Sequence, residues 1–475
     1  MDSIDLSPEQ FRSLSQRVLE IAVDYLEGID DRAIPASGSG SEIQRILQAP
    51  LPETGLGEQA VDELHRVARH SRAQNARFFA YVMGSGEVAA ASSDLLCSVL
   101  NQNVTIWRSS PAGVTIERMV VDWLSQALGC RGFSGTLTSG GSSANLMGLA
   151  MAREAKAPAN EKGVRGTPPV AIYASTEVHM SIPKAIALLG IGRENLRMIP
   201  VDDRYRINLQ KLEETLLHDQ ASGIVPVAVV ASAGTVNTGA IDPLPQLSEI
   251  ARRYGAWLHV DGSYGALAAI AAPGKFPGLQ LADSLSLDPH KWLYQPLDCG
   301  GLLYRDVSAA RSAFTHTADY VRALNKDPIE AYAFFEESME LSRRFRALKL
   351  WFSLRYHGLA AFRHAIHKDL QHAERLGSLI AQTPELRLEA PISLSALCFR
   401  YIGNGNLPDG QLDAINLEIL RRVIARGRVY LSNATLQSKF CLRACIVNHR
   451  TTDADIDAVL TEVLAAAKEV HQQAQ

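Results

Sequence analysis

The sequence predicts an α/β protein in which a large domain with a mainly parallel sheet carries an N-terminal helical arm and a small C-terminal α+β domain. Three observations predict it. Between about Arg77 and Arg305, short β-branched or apolar runs alternate with longer helical ones, as in strand–helix–strand units. Ahead of that region lies a helix followed by a Pro/Gly-punctuated stretch, and after about Lys349 long helices take over, interrupted by two strand-like runs. At 475 residues the chain exceeds what one hydrophobic core normally fills. The expected division is an arm and dimerisation segment over 1–86, a large domain over 87–349 and a small domain over 350–475.

In the arm, Ser7 can cap a helix, Pro8 suits its first position and Gln10 stands where a capping-box partner belongs. Phe11, Leu14, Val18, Ile21, Ala22 and Tyr25 then recur at helical spacing. The stretch Ile34 to Gly57 reads as an arm lying on another surface, such as a second subunit. In the large domain the candidate strands are Val170–Ala174, Val225–Ala231, Trp257–Val260 and Leu302–Tyr304, with Ala157–Pro169 a surface loop. In the small domain, helices are expected over His364–Gln382 and Asp409–Arg426, with strands near Ala396–Tyr401 and Lys439–Val447.

Composition narrows the function. Charged residues make up 21% and the net charge is −4, so there is no basic field for nucleic acid or an anionic membrane, and small molecules and further copies of the chain are the expected partners. The six cysteines are scattered through a long chain, which suits a reducing cytoplasm better than a disulfide framework. The opening MDSIDLSPEQFRSL shows no basic segment before an apolar run, and no stretch of 18 apolar residues occurs, so neither signal peptide nor membrane span is expected.

The chemistry is concentrated in a few segments. In Ala282-Asp-Ser-Leu-Ser-Leu-Asp-Pro-His-Lys291-Trp, a lysine follows an apolar alternation. Buried in an α/β domain it must shift its pKa, find a partner or react, and an imine with an aldehyde removes its charge; the plainer reading is a lysine reaching the surface. Thirty residues earlier, His259-Val-Asp261-Gly-Ser263-Tyr-Gly reads as a buried strand ending in an acid, where open α/β sheets meet ligands, or as an acid that only caps the next helix. An acid so placed could keep a pyridine nitrogen protonated in a pyridoxal 5′-phosphate (PLP) enzyme.

Upstream, Gly135-Thr-Leu-Thr-Ser-Gly140-Gly141-Ser142-Ser143-Ala-Asn145 is a strand, a glycine-rich turn and a helix start, serving either as a phosphate cradle or as a plain tight turn. His179 and Thr235 each follow a candidate strand. A histidine there could stack on a planar ring and a threonine could bond a ring substituent, although a lone histidine is more often structural.

Taken as a set and in this order, the Gly-Gly-Ser turn, His179, Thr235, the HVDGSYG run with Asp261, and Pro289-His290-Lys291-Trp292 resemble the group II PLP-dependent amino-acid decarboxylases. The likeness covers most of the chain, with Ser109-Ser-Pro-Ala…Glu117…Asp122-Trp-Leu and Ser342-Arg-Arg-Phe-Arg-Ala-Leu-Lys-Leu-Trp-Phe as two further blocks. The resemblance implies a fold-type I homodimer with a seven-stranded, mainly parallel sheet, acting on an L-amino acid. It implies Lys291 as the Schiff-base lysine, Asp261 as the pyridinium partner and His179 as the imidazole stacked on the ring. Gly140, Gly141, Ser142 and His290 would lie near the phosphate or the lysine, with Thr235 and Ser263 beside the cofactor. Arg343 would meet the substrate carboxylate. Tyr320, in Phe314-Thr-His-Thr-Ala-Asp-Tyr-Val, would protonate carbon after carbon dioxide leaves.

In relatives that make aldehydes with oxygen, that tyrosine or the stacking histidine is often replaced, so the presence of both favours simple decarboxylation over oxidative deamination. The substrate pocket departs from the aromatic branch: Tyr81-Val-Met-Gly84 and Thr105-Ile-Trp107 stand at substrate-lining positions, and Asp288 stands where Asn is commoner. Three rival motifs remain. Gly84-Ser-Gly86-Glu-Val-Ala89 imitates a dinucleotide fingerprint for a nicotinamide oxidoreductase but has no acidic residue about 20 positions on. Ser142 half-resembles an esterase nucleophile, which would need a histidine such as His449. Cys441, Cys445 and His449 could suggest metal, but a core face of a strand is the better reading, and no metal is expected.

Overall fold

The structure, a computed structural model, describes residues 4–35, 38–316, 327–403 and 407–473. The arm opens with α1 (Pro8–Glu27), whose Ser7 and Gln10 form the expected reciprocal capping box. The punctuated stretch contains a helix not anticipated from sequence, α2 (Gly40–Leu47), because Ser39 and Glu42 make a second capping box. Next comes α3 (Ala60–His70), tied to α1 by Arg17, which reaches Asp62 and the Glu58 carbonyl.

The large domain runs through α4 (Val88–Leu100), α5 (Pro111–Ala127), β1 (Ser134–Thr138), α6 (Gly141–Lys156), β2 (Val170–Ser175), α7 (Ser181–Leu188) and β3 (Leu196–Ile199). It continues through α8 (Leu209–Ala221), β4 (Val225–Ser232), α9 (Leu244–Arg253), β5 (Trp257–Asp261), β6 (Ser284–Leu287), α10 (Pro289–Trp292), β7 (Gly300–Tyr304), α11 (Val307–Phe314) and α12 (Ala347–His357). Its seven strands form one sheet in the order β1-β7-β6-β5-β4-β2-β3, with β7 antiparallel to both neighbours and the other pairings parallel. Helices cover both faces, so the central strands are buried on both sides; β4 has seven buried residues in a row. That explains why continuous apolar runs marked the strands at Val170, Val225 and Trp257. The four-residue β3 is too short to carry a period of its own.

The C-terminal part comprises α13 (Leu359–Ala381), β8 (Leu386–Leu388), β9 (Ala396–Tyr401), α14 (Asp409–Arg426), β10 (Ser432–Leu436), β11 (Lys439–Cys445) and α15 (Asp453–Gln473). Its antiparallel sheet, ordered β10-β11-β9-β8, packs on these helices around a separate apolar cluster. The arm is bound to it through backbone bonds from Phe79 N to the Tyr430 carbonyl and from Cys445 N to the Phe79 carbonyl, at 2.9 and 2.8 Å.

Asp369 on α13 joins this part to the segment that follows α10. Its Oδ2 accepts the Tyr294 hydroxyl at 2.8 Å and the Asn448 amide at 3.1 Å. Burial pushes the carboxyl up to about 8 against these hydrogen bonds. From about pH 4 to about pH 8 the unfolded chain has lost this proton while the folded one keeps it, so the group lowers stability as pH rises. The slope reaches about 1.4 kcal/mol per pH unit. Asp369→Asn keeps the shape and removes the titration, and urea unfolding as a function of pH should show the variant gaining on the wild type across that window.

Candidate active site

The lysine is presented by the carboxyl end of β6. Asp288 is non-helical, at φ −128° and ψ 87°, as the residue before a proline tends to be, and Pro289 opens the single turn α10. Lys291 Nζ lies 2.8 Å from Asp288 Oδ2, with the lysine side chain 18% exposed. His290 donates from Nδ1 to the Cys299 carbonyl at 2.7 Å, which leaves Nε2 bare and 3.7 Å from Asp288; burial holds this imidazole below its usual pKa. Asp288 Oδ1 is buried without a hydrogen-bond partner. Gly84 lies under this turn: its amide donates to the His290 carbonyl, and a Cβ there would stand 2.3 Å from that oxygen.

Asp261 ends β5 on the neighbouring strand. Its Oδ1 accepts from Ser286 Oγ at 2.9 Å and Ser263 N at 3.1 Å, and its Oδ2 accepts from Asn145 Nδ2 at 2.9 Å. Burial works to raise this carboxyl, yet the Ser263 hydrogen bonds together with His259 and His179 hold it below its ordinary value, so it is ionised. His179 follows β2 and accepts the Ser181 amide at Nδ1, 3.3 Å away, which puts the ring proton on Nε2. Burial lowers its pKa, partly opposed by Asp261.

The start of α6 supplies the third wall. Gly140 precedes it and no side chain caps it, so its first amides are free for an anion. A Cβ on Gly141 would fall 2.2 Å from Ser263 Oγ, so glycine allows the helix to close on β5. Gly140, Gly141, Ser142, His179, Thr235, Asp261, Ser263, His290 and Lys291 all line one cavity of about 330 Å³, together with Glu177, Val236, Tyr264 and Asp288. Thr235 is buried there, its hydroxyl 2.9 Å from that of Thr238.

Other expected residues stand elsewhere. Arg343 stands outside the cavity: its guanidinium is buried, paired with Glu117 and bonded to the Val104 and Leu137 carbonyls and Thr136. A substrate carboxylate there would have to compete with Glu117. Within one chain, Tyr81, Thr105 and Trp107 do not line the cavity either: Tyr81 is half-exposed at φ 60°, and Thr105 and Trp107 are bonded to the 332–334 segment. Tyr320 lies outside the described residues.

The rival motifs come apart. Gly84–Ala89 follows no strand and packs against the lysine turn, with Glu87 capping α4. His449 bonds to Ser85 at 2.7 Å and lines a different cavity from Ser142. Cys441 and Cys445 are buried free thiols on β11.

Sequence reasoning missed three groups. Asn145 and His259 lie within segments it had marked, yet their contacts depend on which face of α6 meets β5. Arg443, on β11, is buried and bonded to the Val236, Asn237 and Tyr81 carbonyls and Ser432 Oγ. Among the described residues no carboxylate lies within ion-pair distance of it. Its signal in the sequence was only a charged residue, with Lys439, in a mostly apolar strand.

A lysine at the carboxyl end of the sheet, an ionised carboxylate on the adjacent strand, an imidazole and an uncapped helix start facing one cavity suit a phosphorylated pyridine aldehyde. The fold and site are thus those of a PLP-dependent enzyme. The model of the pyridoxal-dependent decarboxylase conserved domain matches residues 45–402, and the chain belongs to that family of carboxy-lyases. It is 31% identical to the aromatic-L-amino-acid decarboxylase of Bacillus atrophaeus, over 99% of this chain and 98% of that one. It is 28% identical to the phenylacetaldehyde synthase of Petunia hybrida, over 93% and 91%. Among solved structures, the TDC of Oryza sativa with PLP and tryptamine superposes with a TM-score of 0.91 at 26% identity, over 98% of this chain and 99% of that one.

The placement of Arg343 is testable. Arg343→Leu strands Glu117 in the core, and loss of one member of a buried ion pair costs about 3–5 kcal/mol. Urea unfolding should register that loss, with KM unchanged in whatever folds; a fully stable variant with a raised KM would return Arg343 to the substrate.

Proposed function

We propose that this enzyme carries out α-decarboxylation of an L-amino acid to its amine and carbon dioxide. The observation that carries the proposal is that Lys291, Asp261 and the uncapped start of α6 face one cavity. When bound, PLP supplies an aldehyde for the substrate amine and a ring that accepts the electrons left when a bond to Cα breaks. In this reading Lys291 Nζ would attach the cofactor. The α6 amides, Ser142 and His290 would hold its phosphate, with Thr235 and Ser263 beside it. Asp261 would accept a hydrogen bond from its ring nitrogen and keep that proton in place. His179 would shield it from water. Arg443, a buried cation without a carboxylate partner among the described residues and bonded to cavity-lining Val236, is the better candidate for the substrate carboxylate. Tyr320 is retained as the proton donor to carbon. The division at residues 86/87 and 349/350 is retained, with the cofactor held by the middle part.

A homodimer in a reducing cytoplasm is the assembly and setting we favour. All six cysteines are buried free thiols. Helices α1 and α4 turn apolar side chains outward, among them Leu19, Leu95, Leu96 and Val99, each more than half exposed in the single chain. Among the described residues, no helix is long and apolar enough to cross a membrane. Leu95→Glu with Val99→Glu should convert the dimer to monomer in sedimentation at micromolar concentration; a monomeric wild type would refute the assembly.

The reaction is tested first by spectrum. The protein should show a band near about 420 nm from the lysine-linked conjugated cofactor, and Lys291→Ala should abolish it. An amino-acid panel scored for carbon dioxide, amine and oxygen uptake then separates the alternatives. Amine without oxygen uptake supports simple decarboxylation, whereas aldehyde with oxygen uptake would put this chain with the petunia relative.

A further inference from the structure

We propose that Asn145 is a positioning residue for the cofactor ring: one side-chain amide fixes both Asp261 and, through Ser181, the ring face of His179. This rests on the reading of Asp261 as the partner of the ring nitrogen. Asn145 is fully buried on α6, one turn beyond Gly141. Its Nδ2 donates to Asp261 Oδ2 and to Ser181 Oγ, both at 2.9 Å, and its Oδ1 faces His259 Nε2 at 2.9 Å. Ser181 Oγ is in turn 2.8 Å from His179 Nδ1.

The direction of every bond follows from the carboxylate. Asp261, ionised, can only accept, so the NH₂ of Asn145 must face it and the carbonyl must face His259. His259 therefore carries its proton on Nε2 and accepts at Nδ1 from Ser284 Oγ, 2.8 Å away, while that oxygen accepts the Trp257 indole N–H at 2.8 Å. Burial pushes His259 down to about 4, so it stays neutral in this role. The amide of Asn145 is thus locked against flipping from behind.

The backbone provides for this contact. A Cβ on Gly148, one turn further along α6, would lie 2.6 Å from the His259 ring, so the helix reaches β5 only because that residue has no side chain. Among the described residues, Asn145 is the one protein donor to Asp261 Oδ2, whereas Oδ1 has Ser286 and Ser263. Without Asn145, that oxygen and the Ser181–His179 pair would lose their common reference.

The test compares PLP with its carbocyclic analogue, in which CH replaces the ring nitrogen, by fluorescence titration of the apoprotein. Inorganic phosphate affinity and apoprotein Tm are measured alongside. Wild type should prefer PLP by about tenfold or more, and Asn145→Leu and Asn145→Asp should shrink that preference to below about threefold, as for groups coupled through direct contact. Phosphate affinity should not move. His259→Gln, which leaves Asn145 present but unlocked, should lie between and decides the matter if the Asn145 variants do not fold. A full preference for PLP retained in the folded variants, or a parallel loss of phosphate binding, overturns the positioning role. A wild type that does not distinguish PLP from the analogue instead overturns the assignment of Asp261 to the ring nitrogen.

Discussion

A carboxylate that must stay charged in a dry interior is the constraint around which this site is built. Removing Asp261 from water would by itself push it toward the neutral acid, and an unpaired buried charge costs several kcal/mol. The chain offsets this with donors rather than with a salt bridge: Ser286, the Ser263 amide and Asn145 all point at it, and His259 and His179 stand near. Neutral donors stabilise the charge without cancelling it, so the oxygens keep their capacity to attract a further proton-bearing group. A buried arginine in the same place would have stabilised the carboxylate equally well and left nothing for a ligand.

The close contacts of the domain follow from that choice. Dipolar donors work only at contact distance, so α6 must approach β5 more tightly than side chains on both surfaces would permit. Gly141 under Ser263 and Gly148 under His259 are where the space is found. The same economy occurs on the other side, where Gly84 lets the arm's last segment lie against the lysine turn. The position of Lys291 is therefore fixed by packing from the sheet and from residues 84–87, and its amine is oriented by Asp288.

What was legible in the sequence was whatever has a local cause. Ser7 and Gln10 announced α1, continuous apolar runs announced the doubly covered strands, the acid was marked by the strand it terminates and the lysine by the strand that ends four residues before it. The helix at Gly40–Leu47 was equally local but hidden by the prolines and glycines around it; its capping box, Ser39 with Glu42, was the available signal. What could not be read were contacts set by tertiary packing. Asn145 stands beside His259 only because of how α6 crosses the sheet, and no spacing rule connects positions 114 residues apart.

The two arginines show the same limit in its sharpest form. Arg343 sits in a basic cluster within a familiar block, Arg443 in a mostly apolar strand, and sequence favours the first as a carboxylate receptor. Burial and pairing separate the two. Arg343 already has Glu117, so a second carboxylate would gain little there and would have to break that pair. Among the described residues, Arg443 is bonded to carbonyls and a hydroxyl, which satisfy N–H groups and orient the guanidinium but leave its positive charge uncompensated. Because Val236 belongs to both its hydrogen-bond shell and the cavity wall, that charge lies one hydrogen-bonded residue from the cavity. Charge compensation, rather than the mere presence of a cation, decides which arginine can serve a substrate, and it becomes visible only when the fold reveals each arginine's partners.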